Sequence, residues 1–225
     1  MVASALGCGR RDAAPASANE PAGAAMSRDT ARSTPTPAKR PTVLFIGTSL
    51  TAGYGLDDPA TQAYPAVVGH LADSAGTPIT VSNAGVTGET SAGALARIDW
   101  VLRQPADVVV LETGANDALR GLSVRAAEGN LRAIVRRIQA AKPDVPVLLV
   151  PMEAPPNLGS TYVTAFRAMY PVIAKQTGAI LTPFLLRNVA GLPSLNQADG
   201  IHPNVAGARI LGATVWEALA PLVQH

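Results

Sequence analysis

The chain has 225 residues, of which 48% are hydrophobic and 15% charged, enough to bury a full core in one domain. Its net charge is +2, but residues 1–41 hold six basic and three acidic side chains, which leaves residues 42–225 at −1 and excludes a nucleic-acid footprint for them. One cysteine rules out an internal disulfide, and no run of 18 apolar residues marks a spanning helix.

Residues 1–41 are rich in Ala, Pro, Ser and Arg without periodicity, which reads as a disordered linker preceding a domain over 42–225. Within it, Ala5-Leu-Gly-Cys8 resembles the end of a bacterial lipoprotein signal. That match implies a periplasmic or membrane-anchored protein held by a lipid on Cys8; otherwise the cytoplasm is expected. No positive residue precedes Cys8, and only Met1 to Leu6 can serve as an apolar region that normally runs about 7–15 residues.

The domain opens on Thr42-Val-Leu-Phe-Ile-Gly-Thr-Ser49-Leu-Thr-Ala-Gly-Tyr-Gly55. Val43 to Ile46 suit a buried parallel strand that Gly47 ends. Ser49 then falls at the carboxyl end of that strand, where open α/β sheets bind ligands. Taken alone, the stretch suits a helix cap at Thr48 or Ser49 at least as well as a nucleophile. A helix is predicted over Ala63–Ala75, then a short strand Ile79–Val81 running into Asn83-Ala-Gly85. A helix over Ser91–Leu102 precedes a strand over Asp107–Leu111. Ser123–Lys142 places Leu131, Ile134, Val135 and Ile138 on one helical face. A fourth strand, Val145–Val150, is followed by a helix over Thr161–Gln176 and a short strand, Ala179–Leu181. Asp199-Gly-Ile-His202-Pro203 leads into a last helix, Asn204–Leu222. Strands alternating with helices call for an α/β fold with one parallel sheet and right-handed crossovers.

A serine nucleophile usually needs a histidine base. Of the three histidines, His225 is terminal and His70 falls inside a helix. His202 lies in a loop three residues after Asp199, a spacing that lets a carboxylate hold Nδ1 while Nε2 faces a nucleophile. Such a pair is equally an ordinary turn with a solvated carboxylate. Gly85 and Asn116 follow the second and third strands on the same rim as Ser49. A glycine N–H can approach a ligand closely, and an asparagine amide can donate to an oxyanion. Their plainer readings are a turn glycine and an Asx-turn.

Together these segments resemble the GDSL, or SGNH, hydrolases, nearest to the bacterial thioesterase I, lysophospholipase L1 and arylesterase group. The resemblance covers nearly everything from Thr42 to Val223. It rests on Gly47-Thr-Ser-Leu-Thr-Ala-Gly-Tyr54, Gly114-Ala-Asn-Asp117-Ala-Leu-Arg-Gly121 and Asp199-Gly-Ile-His-Pro-Asn204. It implies a three-layer α/β/α, flavodoxin-like fold with five parallel strands. It assigns Ser49 as nucleophile, His202 as general base and Asp199 as its orienting partner. The oxyanion hole would comprise the N–H groups of Ser49 and Gly85 and the side chain of Asn116. Ala115, Leu119, Leu122, Met152, Pro155 and Pro156 are candidates for an apolar substrate groove, with plain packing as the alternative for each. Asp117 and Glu112 are expected to brace the Asn116 loop. Thr48 stands where the family usually has aspartate, and its hydroxyl is expected to accept a backbone N–H at the helix start.

The implied activity is hydrolysis of carboxylic esters or thioesters, such as aryl esters, acyl thioesters or lysophospholipids, through an acyl-enzyme. The alternatives are a carbohydrate O-acetyl esterase of the same fold and a catalytically weak, tethered binding protein. Gly-x-x-x-x-Gly-Lys-[Ser/Thr] is absent, as are Gly-x-Gly-x-x-Gly after a strand and a metal cluster of His, Cys and carboxylates. No cofactor or metal is therefore expected. The expected partner is a small ester or lipid, met by a monomer.

Overall fold

In the computed structural model of the chain, residues 40–224 are described. Residues 1–39 of the linker expected over 1–41, Cys8 among them, lie outside these, as does His225. Five strands pair in parallel: β1 (Thr42–Gly47), β2 (Thr80–Gly85), β3 (Val108–Glu112), β4 (Val147–Val150) and β5 (Ile180–Leu181). Their order is β2-β1-β3-β4-β5, the flavodoxin-like arrangement. Val43 to Ile46 of β1 are fully buried, as the apolar run demands of a strand covered on both faces. The register sets Gly47 beside Gly85 and Ile46 beside Leu111, so β1, β2 and β3 end at nearly one level.

The connections dictate where the helices go. From β1 the chain steps one way to β2 and then back across β1 to β3, and right-handed crossovers in opposite directions place their helices on opposite faces. Accordingly α3 (Tyr64–Ser74) packs with α8 (Val205–Val223), while α4 (Ser91–Val101), α6 (Val124–Ala141) and α7 (Ser160–Thr177) pack as a row. The result is three layers, helices on each face of the sheet. The apolar face expected for α6 is buried at Leu131, Ile134, Val135 and Ile138. Its start is capped by Ser123, whose hydroxyl accepts from Ala126 N. Asn204 caps α8 by accepting from the N–H groups of Ala206 and Gly207 at 3.0 and 3.1 Å.

Three further helices are short: α1 (Ser49–Ala52), which begins at the expected helix start after Thr48, and α2 (Pro59–Gln62) and α5 (Ala115–Leu119), which fall where no helix was expected. Each is a turn or so long, too short to show a period of 3.6. Gly53 ends α1 in the left-handed region, at φ +76°, and its N–H returns to Ser49 O. No helix among the described residues is long and apolar enough to cross a membrane.

Candidate active site

β1 delivers the chain to the rim of the sheet at Gly47, and Ser49 becomes the first residue of α1 with only 8% of its surface exposed. From the far end of the chain, the loop before α8 brings His202 Nε2 to 2.9 Å from Ser49 Oγ. His202 Nδ1 lies 2.7 Å from Asp199 Oδ2. The other carboxylate oxygen, Oδ1, accepts from the N–H groups of Ile201 at 2.9 Å and His202 at 3.0 Å. One carboxylate thus folds its own loop and orients the ring. The His202 backbone N–H and imidazole, with the Ile201 N–H, hold the Asp199 carboxyl down at about 2. An ionised Asp199 demands a donor, which fixes Nδ1 as N–H and leaves Nε2 to accept the Ser49 proton.

Asn116 stands in the first turn of α5, after β3. Its Nδ2 gives one hydrogen to Glu89 O at 3.0 Å, and the amide's second hydrogen is left for the cavity beside Ser49. Glu89 is held in turn by Arg97, whose Nε and Nη2 meet the two carboxylate oxygens at 2.6 and 2.7 Å. Asp117 braces this corner as expected, by accepting from Ser91 N at 2.7 Å and Ser91 Oγ at 2.6 Å.

Gly85 does not take the place expected of it. Its N–H donates to Asn83 Oδ1 at 2.9 Å, and a Cβ there would collide with Ala52 N of α1. Gly85 is a packing glycine whose donor is already used. Three residues on, Gly88 lines the cavity with Ser49 and Asn116. Its φ of +76° suits glycine, and its N–H meets no acceptor among the described residues. Gly88 replaces Gly85 as the candidate oxyanion donor.

Thr48 and Glu112 also depart from expectation. Thr48 caps nothing with its hydroxyl. Instead Thr48 N donates to Glu112 Oε2 at 2.8 Å, Thr48 Oγ1 to Oε1 at 3.0 Å, and Thr51 Oγ1 to Oε2 at 2.9 Å. Thr51 Oγ1 also meets Tyr64 OH at 2.8 Å. Glu112 therefore holds the nucleophile turn rather than the Asn116 loop. It is fully buried, and that burial pushes its carboxyl up to about 7 against the pull of the four Thr48 and Thr51 groups.

The site opens into a cavity of about 380 Å³. Ala115, Leu119, Met152 and Pro155 line it; Leu122 and Pro156 do not. Leu122 instead gives its carbonyl to Tyr162 OH at 2.7 Å. Tyr54, Leu186 and Ile201 complete the apolar wall. Tyr54 and Ile201 sit beside recognisable motifs, whereas Leu186 lies in a loop with no periodic signal. His70 is exposed on α3 and does not touch this cavity.

Comparison with known proteins identifies the family. The model of the GDSL-like Lipase/Acylhydrolase family matches residues 45–210. The chain is 38% identical over 184 residues to Esterase TesA of Pseudomonas aeruginosa, covering 81% of this chain and 89% of that protein. It is 37% identical over 185 residues to Thioesterase 1/protease 1/lysophospholipase L1 of Escherichia coli K12, covering 82% and 86%. Among solved structures, AlinE4, an SGNH-hydrolase family esterase, superposes with a TM-score of 0.69 at 40% identity, covering 83% of this chain and 98% of that one. The chain belongs to the GDSL-like lipase/acylhydrolase family.

Proposed function

We propose that the protein hydrolyses carboxylic esters and thioesters in two steps through an acyl-enzyme on Ser49. The observation that carries this reading is the unbroken line from Asp199 through His202 to Ser49, which opens on an apolar cavity beside Asn116. His202 Nε2 takes the Ser49 proton as Oγ attacks the carbonyl carbon. The oxyanion is met by the N–H groups of Ser49 and Gly88 and by Asn116 Nδ2. His202 then gives its proton to the departing alcohol or thiol, and a water activated by the same nitrogen releases the acid. Leu119, Met152, Pro155 and Leu186 form a wall suited to an acyl or aryl group. Relatives named as esterase, thioesterase, lysophospholipase and arylesterase support aryl esters, acyl thioesters and lysophospholipids as the substrate range.

The test is a panel of p-nitrophenyl esters, acyl-CoAs and lysophosphatidylcholines assayed with wild type, Ser49→Ala, His202→Ala and His70→Ala. Ser49→Ala and His202→Ala should abolish turnover with the thermal midpoint retained, and His70→Ala should leave it intact. Substantial hydrolysis by folded Ser49→Ala would place the nucleophile elsewhere.

A further inference from the structure

Ser49 and His202 meet from positions 153 residues apart, and the hydrogen bond between them is given up whenever Ser49 is acylated. Something else must keep the His202 loop seated during that interval. An isolated antiparallel bridge between Asn196 and Pro203 closes the base of this loop on itself but does not tie it to the nucleophile segment.

Gln197 does. Its Nε2 has two hydrogens and two acceptors: Tyr54 O at 2.8 Å, just beyond α1, and Pro203 O at 2.9 Å, next to His202. Its backbone N–H donates to His202 O at 2.7 Å. Among the described residues, Gln197–Tyr54 is the one hydrogen bond besides Ser49–His202 that joins residues 48–56 to residues 196–204. The backbone is shaped to receive it. Gly55 has φ +72°, and a Cβ there would collide with Gln197 Oε1. Beside this tie, the Tyr54 ring lies on the His202 ring with centroids 4.7 Å apart and planes 50° apart. A half-buried amide thus grips both sides of the reacting pair without touching the cavity.

We propose that Gln197 is a positioning residue that sets the distance between His202 Nε2 and Ser49 Oγ through the cycle. This rests on the reading of Ser49 and His202 as the reacting pair. The alternative role, a stitch that only stabilises a loop, leaves turnover per folded molecule untouched.

Gln197→Met keeps the volume and deletes both side-chain donors; Gln197→Glu keeps the shape and turns an oxygen toward two carbonyls. For each, kcat and KM on p-nitrophenyl butyrate, the phosphonylation rate of Ser49 by a p-nitrophenyl phosphonate and the thermal midpoint are measured. A displacement of the base by an ångström or less predicts a fall in kcat of about 10- to 100-fold. KM should stay within about twofold, and phosphonylation should fall in parallel, because the lost contact serves the chemical step and not uniform binding. Wild-type kcat in Gln197→Met, or a loss matching the unfolded fraction alone, would overturn the proposal. If both variants fail to fold, Gly55→Ala displaces the intact Gln197 from the other side. There a lowered kcat with KM kept supports the tie, and an unchanged kcat overturns it. Ser49→Ala separates the two readings. If it is inactive while Gln197→Met is fully active, only the tie fails; if it is active, the reacting pair fails and the tie with it.

Discussion

A side chain at the rim is useful to chemistry through whatever hydrogen-bonding capacity its neighbours leave unspent. Asn116 has given one amide hydrogen to Glu89 O and keeps the other. Asn116→Ala should therefore lower kcat by about 10²–10³, the cost of one oxyanion donor. KM should change little, and an unaltered kcat in a stopped-flow or steady-state assay would mean that backbone N–H groups alone make the hole. Asp199, by contrast, has spent both oxygens, on the His202 ring and on the N–H groups of Ile201 and His202. Its carboxyl, held near 2, stays ionised across any ordinary assay range, so an acid limb in kcat/KM belongs to another group.

At the scale of elements, the end of β2 is packed under α1. Asn83 Nδ2 donates to Thr51 O at 2.7 Å and its Oδ1 receives the Gly85 N–H, so one side chain joins strand to helix. Gly85→Ala forces a methyl group against Ala52 backbone and should destabilise the domain by about 1–3 kcal/mol, the range for overpacking. Chemical denaturation measures this; wild-type stability would mean that α1 yields freely. The same corner shows what was legible beforehand. Ser49, Asn116 and the Asp199–His202 pair stand at strand ends or in one loop, so order along the chain was enough to bring them to one rim. Gly85 ends β2 and Gly88 comes three residues later, and only the position of Asn83 Oδ1 tells which N–H is already used. Thr48 and Glu112 lie 64 residues apart and meet because β1 pairs with β3, a register that spacing in the sequence does not state. The short helices α2 and α5, and Leu186, lack any periodic signal for the same reason: they are placed by tertiary packing.

For the whole molecule, the sheet order reverses direction between β1 and β3, and ligands of such sheets bind at that crevice. Ser49 leaves β1 and Asn116 follows β3, one on each side of it. Beneath the crevice lies Glu112, and its burial makes folding depend on pH. In the unfolded chain its carboxyl ionises near 4.5, in the folded protein near 7. Between those values the folded state holds the proton more tightly, so stability falls as pH rises from about 4.5 to about 7 and levels off above. Glu112→Gln removes the titrating group while an amide oxygen can still accept the Thr48 N–H. The difference in thermal midpoint between variant and wild type should thus shift in favour of the variant across that window. A difference that stays constant with pH would show that Glu112 keeps one charge state throughout. The order in which the chain is synthesised gives the separation of Ser49 from His202 a further meaning. All five strands are complete by Leu181, yet Asp199 and His202 come later. A growing chain that has reached Leu181 contains all five strand segments and still lacks the histidine that meets Ser49. On the proposed assignment, a growing chain has no base for Ser49 until residues 199–202 have followed it, and it stays silent toward esters until that loop reaches the nucleophile turn.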